Sequence, residues 1–159
     1  MSPQAGPPSS RPKMSDFRPL PIRDRVPSES ERNRALAKRW FQEVWNERRD
    51  QTLDELFTAG AIGHTENGDQ GPVEFKAARL GLLDAFPDLQ VEVEDTAADG
   101  DHVVVRWRAR GTHLGAGLGI PATDRPVDFR GMTWLTFKNG VIVEGWDSWN
   151  LGRLLEWLK

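Results

Sequence analysis

Lys138-Asn139-Gly140-Val141-Ile142-Val143-Glu144-Gly145-Trp146-Asp147-Ser148-Trp149-Asn150 carries the strongest structural signal in the chain. An Asn-Gly turn opens it and an apolar strand follows. One carboxylate, Asp147, sits in that strand between two tryptophans. Aspartate is depleted in strands, and an ionised carboxylate away from water is costly. The rest of the chain reads as the walls of a pocket around that group.

Working upstream, residues 127–137 form the partner strand. A Lys138-Asn139-Gly140 loop places Phe137 opposite Val141, Leu135 opposite Val143 and Gly131 opposite Asp147. One face then carries Phe129, Gly131, Thr133, Leu135, Val141, Val143, Gly145, Asp147 and Trp149. The other carries Met132, Trp134, Ile142 and Trp146. Two apolar faces mean a sheet covered on both sides. Helices can cover one side. A second subunit, docked on Met132, Trp134 and Trp146, is the expected cover for the other. A similar hairpin precedes it. Leu89, Val91 and Val93 alternate with polar residues, Ala98-Asp99-Gly100 is the loop, and residues 103–112 return. The expected register sets Val93 against Val105, Val91 against Trp107 and Glu92 against Arg106.

The first half reads as helices. Ser28 and Glu31 have capping-box spacing, and Ala37, Trp40, Phe41, Val44 and Trp45 recur helically to about Asn46. Thr52 to Glu55 reads as a second capping box. It opens a short helix with Leu53, Leu56 and Phe57 inward, and Gly60 is its stop. An extended piece follows at residues 61–64. Pro72 starts a third helix with Phe75, Ala78, Leu82 and Phe86 as its stripe, ended by Pro87. Residues 1–27 are Pro- and Ser-rich without periodicity and read as a disordered tail; residues 28–159 form one domain. The fold class is α+β: a curled antiparallel sheet on three helices, a cone-shaped barrel with an internal pocket.

Composition narrows the chemistry. The 159 residues include no cysteine, so disulfides and thiol chemistry are excluded. Net charge is −3, which argues against nucleic acid or an anionic membrane as partner. No apolar run reaches membrane-spanning length, and no signal-peptide pattern is present, so the expected location is cytoplasmic. The glycines Gly111, Gly115, Gly117 and Gly119 lack the Lys-Ser/Thr of a phosphate loop. They read as a flexible lip.

Six segments in order resemble the SnoaL-like polyketide cyclase family of the nuclear transport factor two-like fold. They are Trp45-Asn46-Glu47, Asp84 through Leu89, Arg110-Gly111-Thr112-His113, Leu118-Gly119-Ile120-Pro121, Phe129-Arg130-Gly131 and Gly140 through Asn150. The resemblance covers residues 31–158. It implies an Asp at position 147 acting as general acid/base in an intramolecular aldol ring closure, without metal or other cofactor. The family's polar helpers match Gly131, Thr133 and Gly63 here, so the base is kept while its usual partners are not.

The candidate residues follow. Asp147, pointing at the helix layer, should titrate high through desolvation; the alternative is an Asp at the sheet rim bonded to a backbone amide. His64 and His113 are helpers able to polarise a carbonyl, or else histidines bonded to loop backbone. A metal held by His64, His113 and Asp147 has no supporting motif. Trp40, Trp45, Trp107, Phe129, Thr133 and Trp149 are the candidate substrate contacts, with aromatic faces for a planar ligand. The leading function is acid/base cyclisation or isomerisation of a hydrophobic carbonyl compound, of the polyketide or ester cyclase type. A non-catalytic binding module of the same fold is the alternative. An epoxide hydrolase, which would need Asp128 and Arg130 in the pocket, comes third.

Overall fold

The computed structural model describes Lys13 and residues 25–159; the expected disordered tail lies almost wholly outside them. Helix α1 spans Glu29–Arg39, with Ser28 capping it in the expected box with Glu31. It runs on as a π-helical segment, Trp40–Asn46. Then come α2 (Asp50–Leu56), β1 (Phe57–Thr65), β2 (Gly68–Gln70) and α3 (Pro72–Ala85). Strands β3 (Gln90–Asp99), β4 (His102–Thr112), β5 (Pro126–Lys138) and β6 (Val141–Trp149) precede α4 (Leu151–Leu158).

The sheet has six strands in the order β2-β1-β6-β5-β4-β3. It is curled and unclosed, and α1, α2 and α3 pack on its inner face, giving the α+β architecture expected. All neighbours are antiparallel except β1 and β6, which run parallel. That pair explains the short extended piece after α2: it is the strand next to the one bearing Asp147. The core joins Ala37, Phe41 and Val44 to Val103, Val105, Leu135 and Phe137, all buried. At the β3 edge the Asn46 amide pairs both ways with the Val91 backbone. It accepts from Val91 N at 2.7 Å and donates to Val91 O at 2.9 Å.

Four local expectations are corrected. Helix α2 opens at Asp50, not at Thr52; the Thr52 hydroxyl instead donates to the Glu43 carboxylate, a stronger partner than a backbone amide. Gly60 does not stop that helix. It lies inside β1 at φ +90°, where the register with β6 shifts. The two hairpin loops are two-residue turns rather than three. Asn139 and Gly140 both have positive φ, the type I′ pattern that matches strand twist, and Lys138 pairs with Val141. The Gly100-Asp101 turn pairs Asp99 with His102.

Each hairpin also carries a bulge, between Thr136 and Phe137 in one and between Val93 and Asp95 in the other. The pairings beyond the bulges are therefore Val93–Trp107, Val91–Ala109 and Glu92–Arg108, and Leu135–Gly145, Thr133–Asp147 and Gly131–Trp149. Asp147 faces Thr133, not Gly131. Ile142, expected on the outer face, lies between turn and bulge; it pairs with Phe137 and is buried.

Candidate active site

A cavity of about 480 Å³ lies between the helices and the inner face of the sheet, within the usual range for small-molecule sites. Helix residues Trp40, Trp45 and Phe75 line one side. Trp107, Phe129 and Trp149 line the sheet side. All six expected contact residues, Thr133 among them, border this space. The aromatics also hold one another. Phe129 and Trp149 stack with centroids 5.1 Å apart, and Trp107 meets both edge-on. Such geometry fixes the rings as rigid walls.

Asp147 borders the same cavity, half-buried. Burial raises its pKa; the Thr133 hydroxyl and the Trp149 indole act in the opposite direction. Desolvation prevails because the surrounding surface is mostly aromatic and aliphatic. The Thr133 hydroxyl donates to Asp147 Oδ1 at 2.6 Å, and Trp107 Nε1 donates to Thr133 Oγ1 at 2.9 Å. Position 133, read from sequence as a lost polar helper, therefore supplies a direct hydrogen bond. The two-residue register correction is what brings it opposite Asp147.

The two histidines stand elsewhere. His64 borders the pocket, but its ring stacks on Trp146 at 4.9 Å on the outer side of the sheet. Its nitrogens meet Asp69 Oδ1 at 2.7 Å and Glu144 Oε1 at 2.8 Å. Bonds to Glu144 first, then Asp69, raise its pKa, so the imidazolium is favoured. With both nitrogens occupied by carboxylates, it presents none to Asp147. His113 is fully buried outside the cavity lining, with Nδ1 3.0 Å from Thr123 Oγ1 and its ring against Phe86. A His64, His113, Asp147 triad is therefore not assembled, and among the described residues no group of three metal-ligating side chains forms. Asp128 and Arg130 also lie on the outer face. Asp128 binds Arg108 and Arg130 binds Glu94 at 3.3 Å.

Several polar pocket residues escaped sequence reading, Glu66, Asn67, Gln70 and Arg79 among them. Arg79, on α3, is buried; its Nε donates to Val44 O at 3.0 Å and its Nη1 to Asp50 at 2.8 Å. Its only sequence signal was a charge one position after the apolar stripe residue Ala78.

The profile of the SnoaL-like polyketide cyclase family matches residues 35–156. The chain belongs to that family. This SnoaL-like protein resembles a candidate SnoaL-like polyketide cyclase from Jannaschia sp. CCS1, with 29% identity and a TM-score of 0.75 over 85% of this chain and 96% of the other. It also resembles AclR from Streptomyces galilaeus, a candidate hydroxylase, at 28% identity and a TM-score of 0.74 over 81% and 96% of the chains. IdmH from Streptomyces antibioticus, a candidate polyketide cyclase, matches at 25% and 0.69 over 78% and 96%. No curated protein matches the SnoaL-like protein in sequence. No helix among its described residues is long and apolar enough to cross a membrane.

Proposed function

We propose that this SnoaL-like protein is an acid/base enzyme acting on a hydrophobic, carbonyl-bearing small molecule, by aldol ring closure or isomerisation, with Asp147 as its base. One observation carries this reading: the carboxylate borders an aromatic-walled cavity and is desolvated there. A base of raised pKa accepts a carbon-bound proton more readily than an ordinary carboxylate. In the ring closure, the C–H bond next to a carbonyl breaks and its proton moves to Asp147. The resulting enolate carbon forms a bond to a second carbonyl carbon. That carbonyl's π electrons move to its oxygen, which takes the proton back from Asp147. Trp40, Trp45, Trp107, Phe129 and Trp149 hold the flat reactant so that the two carbons approach. The residues need no metal or other cofactor for these steps.

The test uses deprotonation alone. α-Tetralone, a flat bicyclic ketone, is incubated in heavy water and loss of its α-proton signal is followed by NMR. The wild type exchanges it faster than buffer. Asp147→Asn loses that excess by about 100-fold or more. Wild-type exchange no faster than buffer across a set of planar ketones would leave only the binding-module reading. That second reading has an observation of its own: no imidazole stands beside Asp147, because both nitrogens of His64 are occupied on the other face and His113 is sealed in the loop. We also propose a homodimer through the outer sheet face, where Met132, Trp134 and Trp146 are exposed.

A further inference from the structure

Gly131 is the neighbour of both Trp107 and Trp149 across the sheet. A Cβ added there would lie 2.3 Å from Trp107 Cζ2, with two further indole carbons within 2.8 Å. The indole therefore lies flat over the glycine backbone, in space any other residue would fill. From that position its N–H reaches Thr133, two residues along β5. Direction matters in this chain of bonds. An indole nitrogen can only donate, whereas a hydroxyl has one proton and two lone pairs. With Trp107 occupying a lone pair of Thr133, the hydroxyl proton is left for Asp147 Oδ1, and the 2.6 Å separation fits a charge-assisted bond.

We propose that Gly131, Trp107 and Thr133 form a positioning unit for Asp147, in which the glycine admits the indole, the indole fixes the hydroxyl as a one-way donor, and the hydroxyl holds Oδ1. The catalytic part of this inference rests on the acid/base reading above; the geometry does not. The unit performs two tasks. It holds Oδ1 and so locks the carboxylate's rotation, beside the Trp149 indole as the carboxylate's other donor. It also offsets part of the desolvation, so that the base remains ionised often enough to act. Trp107 and Thr133 thus act through Asp147, besides walling the cavity.

The experiment titrates the Asp147 carboxyl carbon by 13C NMR in the substrate-free protein. Thr133→Val, close in shape, removes the donor and raises the midpoint by about one to two pH units. Thr133→Ser restores the hydroxyl and returns the midpoint toward wild type. Trp107→Phe and Gly131→Ala raise it by a smaller, similar amount, although the second removes no polar atom at all. Agreement of those two is the signature of the unit, since a purely structural role for Trp107 would leave the midpoint in place. An unchanged midpoint in Thr133→Val overturns the proposal. So does movement in Thr133→Val alone, with Trp107→Phe and Gly131→Ala unmoved, because Thr133 would then act without the indole. The α-tetralone assay separates the two layers. Midpoints that move as stated in a protein that exchanges no ketone support the unit and overturn the acid/base reading. An active wild type with unmoved midpoints does the reverse.

Discussion

At the scale of the residue, Asp147 is a compromise between stability and reactivity. Its folded pKa is raised by burial, so the native state holds the proton more tightly than the unfolded chain does. By linkage, stability is undiminished below the ordinary Asp value, about 3.9, and falls as pH rises from there through the folded pKa. Above that window the full penalty of a desolvated anion is present. Asp147→Asn keeps the size and the acceptor for Thr133 but removes the charge. We expect it to melt higher than wild type at pH 8, each kcal/mol relieved appearing as about 3 °C in Tm. The advantage should vanish near pH 4. Calorimetry across that range checks both parts; equal melting temperatures at pH 8 would mean the carboxylate is not desolvated. A stabilising substitution that abolishes exchange is what a working site leads one to expect.

At the scale of the element, the parity of the strands was legible and their length of turn was not. Alternation of apolar and polar residues assigns faces without reference to loops. The turns were read one residue too long, and the bulges have no signature in the apolar pattern. The two effects together displaced each register by two residues beyond the bulge, which leaves faces intact. Hence Val91, Val93, Trp107, Phe129, Thr133, Asp147 and Trp149 were placed inward from sequence, while their cross-strand partners, that of Asp147 included, were each displaced. Ile142 was misplaced because it lies where one of the two displacements has acted and the other has not. The histidines were not legible, because their positions depend on carboxylates and hydroxyls distant in the chain, such as Glu144 and Thr123. Arg79 failed for the same reason. It ties α3 to Val44 in the π-helical segment and to Asp50 at the start of α2. Arg79→Met should destabilise by about 2–4 kcal/mol, since it strips a buried carbonyl of its donor and breaks an ion pair. Arg79→Lys should fall between, having no planar fork to serve both partners. Urea unfolding followed by tryptophan fluorescence measures it, and a loss under about 0.5 kcal/mol would show that the three elements hold without it.

At the scale of the whole molecule, the outer sheet face remains to be accounted for. Met132 is 51% exposed, Trp134 48% and Trp146 44%, with Ile62 at 44% beside them on β1. Large apolar residues gathered on one face mark an interaction surface. Charged residues stand around them: Arg130 and Arg106 meet Glu94, and His64 lies between Asp69 and Glu144. A patch with an apolar centre and a rim of both signs suits a two-fold contact, in which each part of the surface meets its own copy. The inner face is occupied by helices and the cavity, so the dimer would form without closing the pocket. We expect sedimentation velocity to give twice the chain mass for the wild type at micromolar concentration. A double substitution, Met132→Glu with Trp134→Glu, should give a folded monomer, because it brings four like charges together on the shared axis. A monomeric wild type would refute the homodimer and leave the patch to another partner. Because Trp134 and Thr133 are adjacent on β5 and point to opposite faces, loss of the dimer should also loosen the strand that carries the Asp147 donor. Ketone exchange should therefore fall in the monomer more than a surface change alone would explain, while the Asp147→Asn background shows no such drop.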